Sequence, residues 1–191
     1  MSDRIILKNV RGSYVFITTG RPDDNGVIKR SMQVIIDKND PQVKKLNAEI
    51  AKVCKSKFPD VKQSMLKLPL RDGDTERDEP SYDGCYFFNT SNAKTVGIVN
   101  QRVEPASQED MDEYLYSGAY FNVSIRFYGF EHKGKKGVAV SILNVMLHKH
   151  GDRLDGGMSA SDEFAALASE FDDEFEDDIP YWADCFNNTI V

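Results

Sequence analysis

Cysteine is scarce: Cys54, Cys85 and Cys185 are the only three in 191 residues, too scattered for a disulfide framework, and no CxxC pair offers a zinc site. A reducing cytoplasm is therefore expected. Long apolar runs are missing too. The start, MSDRIILKNVRG, holds only three consecutive apolar residues, so no signal peptide and no membrane span are expected. Nucleophile and phosphate-loop motifs are absent, with no GxSxG, no P-loop and no telling cysteine–histidine spacing, which argues against an enzyme. Asp72, Asp74, Glu76 and Asp78 alternate as cation ligands can. Counting from Asp72, however, the places where a calcium loop needs glycine and glutamate hold Arg77 and Asp83. His132, His148 and His150 lack a placed carboxylate or thiolate partner. No cofactor and no metal are expected.

Charge is present but segregated. The net charge of −7 hides a segment after Gly151 with twelve acids and one base, Arg153. Before it, 23 bases outweigh 19 acids. A mildly basic body with a strongly acidic end points to nucleic acid or a switchable surface. The length suits one domain, 1–150, followed by a tail, 151–191.

From Arg4 to Asp37 the chain reads as two strands joined by the turn RPDDNGV. Met32, Val34 and Ile36 alternate with Ser31, Gln33 and Asp37, as in a strand with one buried face, although Ile35 breaks the pattern. Gly12 marks a bulge or barrel corner. Asp40 and Pro41 open a helix over about 41–57, with Val43, Leu46, Ile50, Val53 and Cys54 on its apolar face. Residues 60–84 lack periodicity and read as a long mobile loop. Strands resume at CYFFNTS and KTVGIV, a short helix covers 108–114, and AYFNVSIRFYGFEH and GVAVSILNVMLHK form a pair across the loop HKGKKG. The expected fold is mainly β: a closed, five-stranded antiparallel barrel with a capping helix.

Two stretches carry stacking groups beside cations. In Tyr120–Phe130, Phe121, Val123, Ile125 and Phe127 share one face, and Arg126, Tyr128 and Phe130 the other. Lys133, Lys135 and Lys136 follow at once. In SYDGCYFFNTSNAK, Tyr82, Tyr86, Phe88 and Lys94 stand at the exit of the long loop. Arg21, Lys29, Arg30 and Arg102 lie near turns. Rings that stack bases and cations that hold phosphate are what a single strand needs, without any reading of sequence. The ordinary alternative for each ring is a place in the core.

The tail stretch SEFDDEFEDDIPYWADCF holds eight acids, no base, and Phe171, Phe175, Tyr181, Trp182 and Phe186. Solubility alone gives no reason for those rings. Carboxylates in place of phosphates and rings in place of bases make the tail a rival for the basic groove.

LKNVRGSYVFITTGRP, SMQVIIDKNDP before a helix, GCYFFNTSNAK, the two long strands and the acidic aromatic tail together resemble the phage single-stranded DNA-binding proteins built on an OB-fold. The sequence resembles most the type from tailed phages of enterobacteria, and is distantly similar to the replication-associated protein of short-tailed phages. The resemblance implies non-specific binding of single-stranded DNA in phage DNA replication, recombination or repair, in the cytoplasm of an infected bacterial host. It also implies a tail that shields the groove and docks replication proteins such as a polymerase or helicase. Here NNTIV follows Phe186, where the short-tailed-phage protein ends on an aromatic residue, so the docking residue does not carry over. A tail that fills its own groove can also fill a neighbour's, which leaves a homodimer open. The alternatives are an adaptor or DNA mimic acting through the tail, and a metal-dependent nuclease.

Overall fold

The computed structural model describes residues 3–23, 25–132 and 134–154; Lys133 and the tail residues Phe171, Phe175, Tyr181, Trp182 and Phe186 lie outside that set. In chain order the elements are β1 (Arg4–Pro22), β2 (Ile28–Asp37), α1 (Gln42–Lys57), β3 (Arg71–Asp72), α2 (Gly73–Glu76), β4 (Cys85–Asn92), β5 (Gly97–Val99), α3 (Gln108–Tyr114), β6 (Tyr120–His132) and β7 (Lys135–Lys149). No helix among the described residues is long and apolar enough to cross a membrane.

Strand β1 serves two neighbours. Residues from Arg4 pair antiparallel with β6, and residues from Arg11 pair antiparallel with β2. Strand β2 pairs with β4, and β6 with β7, in the same sense. A parallel bridge between Thr90 of β4 and Val140 of β7 closes the ring β1–β2–β4–β7–β6. The barrel is thus OB-fold-like, and its closing seam is parallel where all-antiparallel pairing was expected. Strands β3 and β5 are short additions to β4 and β7.

The period of two carries the core. Met32, Val34 and Ile36 meet Phe121, Val123, Ile125, Phe127, Val138, Val140 and Ile142 inside, all buried. A bulge is built where Ser124 faces Asn144 while Ile125 faces Ile142: the extra Leu143 lets Ile142 and Val145 both point inward. Gly12 stands where β1 passes from its pairing with β6 to its pairing with β2, the barrel-corner alternative rather than the bulge. A Cβ there would lie 2.5 Å from the Phe121 ring and 3.0 Å from Met32 Sδ, so glycine makes room for the largest core ring.

Helix α1 buries Val43, Leu46, Ile50, Val53 and Cys54 against the barrel, the face read from spacing. Asp40 Oδ1 accepts from the Gln42 backbone N–H at 2.7 Å and so satisfies one free donor of the first turn. The short helix α3 carries a capping box between Ser107 and Asp110.

The segment expected as a structureless loop is ordered. It contains β3, α2 and two 3₁₀ turns, Gln63–Met65 and Pro80–Tyr82. Three of its acids form hydrogen-bonded pairs: Asp72 and Asp74 both accept from the Lys38 ammonium, and Glu76 binds Arg71. Tyr82 lies over the outside of the barrel beside Ile35 and Phe87, which explains why Ile35 departs from alternation, since both faces of β2 are covered there.

Candidate nucleic-acid interface

In an OB-fold the outer face of the second and third barrel strands, with its flanking loops, receives oligonucleotides. Here those strands are β2 and β4. Register sets Gln33 opposite Asn89, Ile35 opposite Phe87 and Ser31 opposite Ser91 on the outside. Gln33 Nε2 donates to Asn89 Oδ1 at 2.8 Å. The surface continues over the closing seam to β6, where Arg126 and Tyr128 meet Lys29, Ser91, Asn92 and Ser141 around a cleft of about 410 Å³. On its other side the same Arg126–Tyr128 pair borders a cleft of about 450 Å³ with Lys52, Ser56 and Lys57 of α1.

Tyr128 is 44% exposed, an unusual state for so large a ring on a barrel strand. Arg126 is half-buried, and its Nε is buried with no acceptor among the described residues. A buried donor without a partner is costly, and a phosphate oxygen would satisfy it with a charge-assisted bond. Lys29 shares its ammonium with Asp23 at 2.8 Å, in the turn between β1 and β2. That bond and two backbone donors, Val27 and Asn25, hold the Asp23 carboxyl below its ordinary pKa, with Lys29 the main cause.

The structure brings some of the expected residues together and disperses others. Lys29, Arg126 and Tyr128 share one cleft. Arg30 pairs with Asn92 at its edge, and Lys94 is exposed in the turn just beyond. Arg21 is the register partner of Lys29, and its guanidinium lies 3.5 Å from the Phe16 ring centroid. Lys135 and Lys136 belong to strand β7 rather than to a loop, and Lys136 pairs with Glu131 at 3.5 Å. Phe130 is half-buried beside Gly137, where a Cβ would come 3.0 Å from its ring. Arg102 is remote. Its neighbour Gln101 bonds the carbonyl of His148, seven residues along β7 from Ser141 and roughly 20 Å away at the usual strand rise.

Two expected stacking rings are core rings. Phe88, 1% exposed, points into the barrel, because its register partner Val34 does so. Tyr82, 3% exposed, lies under the ordered loop with its hydroxyl bonded to Gln33 Oε1, and burial raises its pKa. Tyr86 is half-buried against the core, with the Lys38 ammonium 5.4 Å from its ring. The Asp72 and Asp74 bonds keep that ammonium protonated well past the usual lysine range.

Sequence reading missed the outside of β1. Tyr14 is 48% exposed, with φ +48°. Arg77 sits 6.0 Å from its ring centroid and 5.2 Å from those of Tyr82 and Phe87. The stretch RGSYVFITTGR already carried the signal, two rings spaced between arginines.

Comparison with known proteins bears on the fold and the family. Residues 3–178 match the profile of the family described as Enterobacter phage Enc34, ssDNA-binding protein. A putative protein p50 from Acyrthosiphon pisum secondary endosymbiont phage 1 is 35% identical over 104 residues, covering 54% of this chain and 51% of that protein. The chain thus spans about half the length of that relative. Among solved structures, the single-stranded DNA-binding protein from bacteriophage Enc34 in complex with ssDNA aligns with a TM-score of 0.70 at 23% identity, over 79% of this chain and 89% of that one. Gp2.5, a single-stranded DNA-binding protein encoded by bacteriophage T7, aligns with a TM-score of 0.54 at 15% identity, over 86% and 94%. The barrel topology, the ring-and-cation surface and the match over most of its length lead to one conclusion: the chain belongs to the family of the Enterobacter phage Enc34 single-stranded DNA-binding protein.

Proposed function

We propose that this chain binds single-stranded DNA with little sequence preference and protects it during phage DNA replication, recombination or repair in an infected bacterial cell, turning nothing over. The observation that carries the reading is the Arg126–Tyr128 pair: a half-buried cation with an unsatisfied donor beside an exposed ring, facing Lys29 across one cleft. The cation suits a phosphate, the ring suits the face of any base, and neither reads a base edge. Membership of the family supports the same reading.

The acidic tail, in this proposal, occupies the groove when DNA is absent and docks replication proteins when DNA displaces it. Its charge opposes that of the body, and Phe171, Phe175, Tyr181, Trp182 and Phe186 offer flat faces where bases would stack. A gel shift with short oligonucleotides tests the binding itself. A retarded band with unpaired strands of unrelated sequence is expected, and the absence of any shift would leave a tail-based adaptor as the better account.

A further inference from the structure

Resting on that reading, a second feature of the outer surface separates base from backbone. A cavity of about 420 Å³ lies on the outside of β1, walled by Tyr14, Phe16 and Tyr116, with the buried Tyr82 beneath. It falls within the range of roughly 300–1,000 Å³ usual for small-molecule sites. Among the described residues of its lining, the one charged side chain is Glu79. A phosphate is therefore repelled from inside.

The cations stand against the walls instead. Arg21 lies 3.5 Å from the Phe16 ring centroid, Arg77 6.0 Å from that of Tyr14, and Arg153 4.5 Å from that of Tyr116, and none of the three lines the cavity. An aromatic, hydroxyl-bearing interior whose one charge, Glu79, lies 3.9 Å from the Arg77 guanidinium, with Arg21 and Arg153 against the other walls, matches one unit of a single strand: the planar base enters, and the phosphates on either side meet the arginines. Tyr14 adds a sign of function. At φ +48° a bulky residue is strained, and such strain persists where the surroundings hold a side chain in a required place.

We propose that this cavity receives one unstacked nucleobase of the bound strand, held between the rings of Tyr14 and Tyr116.

The test compares the full-length chain with its Tyr14→Gly and Tyr116→Ala variants. Glycine accepts the left-handed backbone, so Tyr14→Gly removes the ring without straining the fold, and its thermal midpoint should not fall. Each variant is titrated with a thymidine oligomer and with an abasic oligomer of equal length and phosphate count. The expected result is a loss of about fivefold to 150-fold for the thymidine oligomer, the range given by one lost stacking contact, with binding to the abasic oligomer unchanged. Equal loss for both oligomers would mean that the rings serve the backbone, and unchanged binding of both would mean that the cavity takes no base; either result overturns the proposal. Tighter binding by the variants would show that the cavity holds a ring of the acidic tail, which also overturns it. If the unaltered chain binds neither oligomer, the proposed function itself fails.

Discussion

The hydroxyl of Tyr82 donates to Oε1 of Gln33, 49 positions away, and fastens the acidic loop to the outside of the barrel. Ser13 Oγ lies 3.3 Å from the same hydroxyl, and the Gln33 amide turns its other end to Asn89. One polar chain, buried at Ser13, Gln33 and Tyr82 and reaching the surface at Asn89, thus joins β1, β2, β4 and the loop. Tyr82→Phe keeps the ring and strands the Gln33 acceptor. The expected loss is about 1–3 kcal/mol of unfolding free energy in a denaturant titration, the usual penalty for an unsatisfied buried polar group.

The loop also sets the response to pH. Asp74 has a lowered pKa because Lys38 and then the Gly84 backbone N–H bond its carboxylate. A lowered folded-state pKa gives stability that is present above the unfolded value and lost as pH falls through the folded one. Tyr82 works at the other end: its raised pKa gives stability that is present below the ordinary phenol value of about 10 and lost as pH rises through the folded value. Thermal midpoints should therefore fall below the ordinary carboxylate range and again in strong alkali. Lys38→Met should shrink the acid-side decline, because the Asp74 ion pair is gone, while Asp23, held low chiefly by Lys29, keeps its share. An unchanged acid limb in that variant would contradict the Lys38 assignment.

Phe88 and Tyr128 separate stability from binding. Phe88→Ala empties a core site and should lower stability by about 3–5 kcal/mol. Tyr128→Ala removes an exposed ring, and should leave the thermal midpoint nearly unchanged while weakening affinity for a thymidine oligomer by about 1–3 kcal/mol. Calorimetry on both variants beside fluorescence titration checks the contrast.

Much of this architecture was legible in the residues, and the exceptions share a cause. The apolar face of α1 and the inward set of β6 follow from local spacing, so both were readable. The aromatic pair Phe87 and Phe88 was ambiguous, because alternation puts the two on opposite faces without saying that both faces are covered. What covers the outer one is Tyr82, brought there by long-range contacts that no local period encodes. The Arg126–Tyr128 cleft was half legible: the strand pattern put both on the outer face, whereas Lys29 arrives only when β4 and β7 close the barrel. The β1 surface was overlooked because Tyr14 and Phe16 straddle an irregular stretch of register, where simple alternation fails.

The tail gives a further expectation. Deleting residues 160–191 removes most of the acids that oppose the basic body. Affinity for an unpaired strand should rise, and its salt dependence should steepen, because cations once covered by carboxylates become available to phosphates. Affinity measured at several salt concentrations on both forms checks this, and weaker binding after truncation would rule out the competing role.

The central claim is that Arg126 supplies a phosphate contact in a groove for unpaired DNA. Its most direct test is an anisotropy titration of the full chain and of Arg126→Gln against one labelled oligomer, single-stranded and as a duplex, at stepped salt. Each phosphate neutralised on a single strand contributes about −0.7 to the slope of log affinity against log salt. The account expects preference for the single strand, and a slope about 0.7 shallower in the variant. Equal slopes for the two proteins, or equal affinity for duplex and single strand, would contradict it.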